Sequence, residues 1–225
     1  MAKSHSFSRP RLRGSRAAPA PAARPPVGRR QRRSAETRVR LFRTALELIA
    51  ERGLANVTVE DITEAADVGK GTFFNYFPSK DHVLGVMAEI QVGKVRQAAA
   101  QAAGIRQSIR GVLHRLVRRL AEEPGRSPRL ARAFISSFLG SDQVREIVKR
   151  NMRQGRKTIA GVIELGQQRG EVRPELNKDK VAVQLVQAVM GTVLLWSLHE
   201  KPSLAKWMEN SFEHAWRAIA ASGKE

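Results

Sequence analysis

Lys70, Thr72 and Asn75 are the side chains in this 225-residue chain whose types and spacing best suit a chemical task, and the task is hydrogen bonding to base edges. A lysine ammonium suits the paired acceptors of guanine, an asparagine amide matches the donor and acceptor of adenine, and a threonine offers a hydroxyl beside a methyl. Thr58, Tyr76 and Lys80 flank this group as candidate donors to phosphates. Catalysis finds no comparable cluster. His5, His82, His114, His199 and His214 lack metal-ligand spacing, cysteine is absent, and there is neither a phosphate loop nor a hydrolase elbow. No enzyme activity, no metal and no cofactor are therefore expected. Glu122 and Glu123 are adjacent, so on a helix they would point apart and serve poorly as an acid–base pair.

The stretch from Thr58 to Lys80 must position these groups. Thr58 is a good N-cap and Asp61 sits three residues on, a capping-box spacing that predicts a helix from Val59 to about Ala66. Asp67 occupies the turn, where it tolerates a left-handed backbone better than most residues. Gly69 then caps a second short helix through Tyr76 that presents Lys70, Gly71, Thr72, Phe74 and Asn75 outward while Phe73 and Phe77 turn inward. Pro78 stops it and Ser79 caps the next helix. This is the spacing of a helix-turn-helix, whose second helix enters the major groove. On pattern alone an ordinary helical hairpin fits as well.

Residues 36–84 resemble the DNA-binding domain of the TetR family of bacterial transcriptional regulators. The first helix of that domain is matched by LFRTALELIAERG, from Leu41 to Gly53, and its Thr, Val, x, x, Ile run by Thr58, Val59 and Ile62. The most specific element is matched by Gly71, Thr72, Phe73, Asn75, Tyr76, Phe77 and Lys80. Four positions depart from the usual pattern: Thr63, Asp67, Gly69 and Phe74. Phe74 replaces a usual tyrosine, so an apolar contact to a thymine methyl or sugar is expected in place of a phosphate bond. The resemblance implies an all-α protein, with an N-terminal three-helix helix-turn-helix domain followed by a helical ligand-binding and dimerisation domain.

Charge and composition agree with a nucleic-acid partner. The net charge is +19, carried unevenly. Residues 1–33 hold ten basic residues and no acid, residues 34–82 hold six basic and eight acidic, and residues 83–225 hold twenty-four basic and thirteen acidic. Attraction to DNA must then rest on a few placed residues and on the basic material either side of the head. Residues 1–33 also carry half of the ten prolines and little large apolar surface, which predicts a disordered arm able to track phosphates or a minor groove, or simply to stay solvated. It shows no targeting signal. Residues 34–82 are read as the DNA-binding domain and 83–225 as the regulatory one.

Ser34 is expected to cap the first folded helix, Ala35 to Arg52. Beyond Ser79, helices are predicted to about Ala103, from Ile105 to Glu122, after Pro128, from Gln143 to Arg169, from Val181 to Leu198 and from Ser203 to Ala221. The Arg-rich face of the second of these also suits a membrane surface, yet a solvated face within a bundle explains it better, and no membrane partner is expected. The last two are apolar on several faces, as expected where one face meets a core and another a second subunit. Val186, Val189, Met190, Val193, Leu204, Met208, Phe212 and Trp216 are the candidates for that homodimer contact. Phe134, Phe138, Met152 and Trp196 are the candidates for lining an effector pocket, although each also suits a plain core. The reading is a cytoplasmic, homodimeric repressor of a palindromic operator, released by a small, largely apolar effector; a sequence-tolerant architectural DNA binder without an effector is the alternative.

Overall fold

The computed structural model describes residues 28–104, 107–199, 201 and 203–221, and of Arg29 and Arg30 the backbone alone. The arm expected over residues 1–33 lies outside the described residues as far as residue 27. Helix α1 (Arg29–Arg52) starts earlier than the Ser34 cap implied, with Gly28 as its N-cap. The last proline of the arm is Pro26, and the Arg and Gln residues that follow Gly28 are good helix formers that simply extend the helix. Gly53 closes it at φ 81°, a conformation that glycine adopts without steric penalty.

The reading pair forms as its local chemistry dictates. In α2 (Val59–Ala65) the Thr58 hydroxyl accepts from the Asp61 amide at 3.1 Å, while the Asp61 carboxylate accepts from the Thr58 amide at 2.7 Å. Asp67 adopts φ 50° and turns the chain into α3 (Lys70–Phe74). A β-branched residue is poorly tolerated there: Asp67→Val should cost about 1–2 kcal/mol and Asp67→Gly should be close to neutral, as read from urea midpoints. Equal midpoints for the two variants would contradict the strained-turn account.

The body comprises α4 (Lys80–Ala102), α5 (Ile109–Leu120), α6 (Pro128–Gly140), α7 (Asp142–Gln168), α8 (Lys178–Trp196) and α9 (Leu204–Ile219). Helices α4 and α7 run in the same direction away from the head. Gly85 admits Ile147 and Gly155 faces Val92; a Cβ on Gly85 would meet the Ile147 Cδ1 at 3.2 Å, so the glycine sets how closely the pair packs. Helix α5 begins at Ile109 rather than Ile105 because the Ser108 hydroxyl accepts from the Gly111 amide and caps it there. It also ends at Leu120, so Glu122 and Glu123 lie in a turn and not on a helix. Instead of pointing apart, both carboxylates converge on the buried Lys94 ammonium, at 2.8 and 2.6 Å.

The hydrophobic core is not divided at residue 82. Leu41, Ile49, Ile62, Phe73 and Phe77 of the head form one continuous cluster with Leu84 and Met87 of α4, Leu130 and Phe134 of α6, and Val144 and Val148 of α7. Two further clusters fill the body, one among α4, α5, α7, α8 and α9, the other around Trp196, Leu204 and Met208. Among the described residues no helix is long and apolar enough to cross a membrane.

Candidate nucleic-acid interface and apolar cavity

The α2–α3 pair presents a compact outer face. Lys70, Gly71, Phe74 and Asn75 are exposed, Thr72 is half-buried, and Phe73 beneath them is fully buried. The ring of Phe73 packs against Phe74 and Phe77 with centroids 5.5 Å away in each case, which fixes the rotation of α3 about its axis. Lys70 makes an ion pair with Glu60 of α2, and that bond holds the Glu60 carboxyl below its ordinary range. Both partners are exposed, so the pair is worth little and Lys70 can exchange its carboxylate for a base or phosphate at small cost.

Three flanking residues are already occupied within the chain. The Thr58 hydroxyl donates its hydrogen to Asp61 at 2.7 Å and is consumed by the cap; this bond and the Thr58 amide keep the Asp61 carboxyl below its usual value. Lys80 donates to the carbonyls of Leu54 and Val57, each at 2.8 Å, leaving one ammonium hydrogen for a phosphate. The Tyr76 hydroxyl donates to the Ser34 hydroxyl at 3.0 Å. Thus Lys80 and Tyr76 tie the reading pair to α4 and α1 in addition to any role at the DNA.

Directly under the head lies a cavity of about 150 Å³. Met87, Phe134 and Val148 belong both to its wall and to the core of the head. The rest of its lining is apolar except for Gln91, Asn151 and Ser211, with no ionisable side chain. The helices around it also hold the head in place. Besides the Lys80 bonds from α4, the Ser127 hydroxyl at the start of α6 donates to the Ala50 carbonyl at 2.9 Å, and Arg129 of α6 donates to the Glu51 carbonyl.

Residues 41–87 match the family model described as bacterial regulatory proteins, tetR family, and residues 139–212 match that of the tetracyclin repressor-like C-terminal domain. This chain belongs to the TetR family. TetR regulators bind DNA, act as dimers and bind small-molecule ligands, and they are not enzymes. The transcriptional regulator TcmR of Streptomyces glaucescens is 48% identical over 56 residues, 25% of this chain and 25% of that one, so the match spans only a quarter of the relative. The transcriptional repressor DhaR of Mycobacterium sp. strain GP1 is 28% identical over 160 residues, 70% of this chain and 80% of DhaR. Among solved structures, the Thermus thermophilus repressor FadR, in complex with lauroyl-CoA, aligns with a TM-score of 0.57 and 27% identity, covering 79% of this chain and 92% of its own.

Within this TetR-family chain the body residues sort differently from the sequence expectation. Of the four candidate pocket residues, Phe134 and Met152 line the cavity. Phe138 packs edge-on against Phe134 at 5.6 Å outside it, and Trp196 is buried in the cluster with Leu204 and Met208. Five of the eight candidate dimer residues face inward, and the other three are partly exposed. Val193, Leu204, Met208, Phe212 and Trp216 are buried within the chain itself, and Val186, Val189 and Met190 border the cavity. The apolar surface left outside on α8 and its C-terminal end is Leu194, Leu195 and Leu198, the last 66% exposed. A helix apolar all round does not say which stripe faces the core. Asn151 and Gln91 were missed, although Asn151 left a signal: it lies four residues from both Ile147 and Gly155, on the apolar face of α7.

Proposed function

We propose that this TetR-family regulator is a homodimeric repressor that binds a palindromic operator in the cytoplasm and is released by a small, largely apolar effector held in the cavity under the head. The observation that carries this reading is the shared wall: Met87, Phe134 and Val148 serve cavity and head core together. A ligand that shifts these side chains acts on α4 and α6, whose N-terminal ends are bonded to the carbonyls on which α1 and α2 hang. Two heads would then change spacing relative to successive major grooves. A tenfold release needs about 1.4 kcal/mol of differential binding. The FadR complex with lauroyl-CoA supports a ligand with an apolar acyl chain, joined in that case to a charged CoA group. For the partner contact, Leu194, Leu195 and Leu198 replace the five buried residues in the proposed dimer surface, beside the partly exposed Val186, Val189 and Met190.

In this reading Lys70, Thr72 and Asn75 read bases, Gly71 and Phe74 approach the groove closely, and Thr58, Tyr76 and Lys80 hold the frame, the last two with a remaining polar contact to phosphate. Residues 34–82 act as the DNA-binding unit and 83–225 as the sensing and dimerising unit, joined through one core.

The test is selection of bound genomic fragments by the purified protein at about 150 mM salt, where screening weakens the non-specific term. One enriched palindrome is the expected result. Asn75→Ala should then cost about 1–3 kcal/mol on that sequence, relax preference at a single position, and leave random DNA nearly unchanged. Binding without an enriched motif, fading smoothly with salt, would instead establish the architectural role.

A further inference from the structure

The first turns of α1 bury almost nothing. From Gln31 to Arg40 every side chain is exposed except that of Thr37, which is half-buried, and the first core residue is Leu41. Because the helix starts at Arg29, four arginines that residue order assigns to the arm, Arg29, Arg30, Arg32 and Arg33, belong to the head. Residues 34–82 carry a net charge of −2, and with these four the head reaches +2. Like charges three and four residues apart weaken a helix, and Arg29 stands at those spacings from Arg32 and Arg33, with Glu36 the single acid between Arg29 and Leu41. An anionic surface offsets that repulsion.

The direction of α1 carries these arginines away from the body. Its C-terminal part is fastened to the body: Ser127 and Arg129 of α6 donate to the Ala50 and Glu51 carbonyls, and Arg126 pairs with Glu47 at 3.3 Å. About 24 Å back along the axis, at about 1.5 Å per residue, the Ser34 hydroxyl accepts from the Tyr76 hydroxyl at 3.0 Å. Tyr76 directly follows Asn75, the C-cap of the reading helix. Helix α1 therefore runs from the body to the end of α3 and past it, and Arg32 and Arg33 stand on the stretch that has passed.

The arginines differ in what already holds them. Arg38 pairs with Glu89 of α4 at 3.8 Å and lies over the Phe77 ring at 5.9 Å, so it fixes α1 in place. The side chains of Arg32, Arg33 and Arg40 have no hydrogen bond or ion pair among the described residues, and Arg33 and Arg40, seven residues apart, share a face. We infer that Arg32, Arg33 and Arg40 form a second DNA contact, clamping phosphates of the duplex beside the bases that α3 reads. Guanidinium groups suit phosphate oxygens, and such contacts add affinity without reading sequence.

The test compares two double variants of the full chain that lose equal charge: Arg32→Gln with Arg33→Gln on α1, and Arg150→Gln with Arg153→Gln on the exposed face of α7 in the body. Glutamine keeps the helix propensity of arginine, and circular dichroism checks the fold. Binding to a duplex carrying the enriched palindrome and to a random duplex of equal length is followed from about 50 to 200 mM salt. In the α1 variant the slope of log K against log salt should flatten by about 0.9 per phosphate released, about 2 to 4 for a two-headed complex, on both duplexes alike. Affinity at about 150 mM salt should fall about tenfold or more with the base preference kept. Hydroxyl-radical protection of the sugars flanking the α3 contact should disappear with it. The α7 variant should leave slope and protection nearly unchanged. An unchanged slope in the α1 variant, an equal change in both variants, or a loss confined to the palindrome overturns the inference. Absence of any enriched palindrome defeats the specific-repressor reading instead, and the slope on the random duplex then decides the arginine contact by itself.

Discussion

Lys94→Ala lowers the stability of the chain by about 3 kcal/mol, the cost of breaking a buried charge cluster by removing one side of it. Lys94 is 7% exposed, and its ammonium holds the Glu122 and Glu123 carboxylates together with the carbonyl of Arg119 just before the end of α5. Removing it leaves the Glu123 carboxylate partly buried with only the Gln91 amide for support. If the loss comes from uncompensated charge, neutralising the carboxylate should recover most of it. Lys94→Met combined with Glu123→Gln is therefore expected within about 1 kcal/mol of the original chain, since replacing a buried ion pair by uncharged groups of similar volume is often neutral. Thermal and urea unfolding of the single and double variants read this out. A double variant as unstable as Lys94→Ala would mean that the lysine acts through packing of its stem and not through its charge.

Phe73→Ala is the second large effect, about 3–5 kcal/mol for a fully buried aromatic ring that leaves a cavity behind. Its consequence extends beyond stability. The ring touches Phe74 and Phe77 and sets the rotation of a helix of only five residues, too short to hold itself. Operator binding should be lost even at temperatures where the body remains helical by circular dichroism. Phe73→Leu should retain much of both, because it keeps the apolar contact while losing the ring. Operator affinity unchanged in Phe73→Ala would show that α3 is oriented by its turn and caps alone.

The reading head was legible because its determinants are local. Thr58 and Asp61 find each other within one turn, Asp67 reveals the turn by its tolerance of a left-handed backbone, and Phe73 and Phe77 share a face at a helical step. Short-range geometry of this kind is written directly in residue spacing. The early start of α1 was hidden by the arm, because Arg-rich sequence suits a solvated arm and an exposed helical turn equally well.

The body was legible as helices but not as an arrangement. Val193, Met208, Phe212 and Trp216 announce burial without saying whether against the chain's own core or a partner, because several faces of α8 and α9 are apolar. Packing against α5 and α7 decides it, and turns Leu194, Leu195 and Leu198 outward. Lys80 reads as a phosphate donor until the carbonyls of Leu54 and Val57 are brought beside it. Lys94, Glu122 and Glu123, and the unpartnered Gln91 Oε1 and Asn151 Nδ2, come from distant parts of the chain. A buried polar group takes its meaning from partners across the fold, so residue order establishes the helices, the cap and the turn of the reading head, while tertiary packing alone establishes the charge cluster, the cavity and the leucines that α8 turns outward at its C-terminal end.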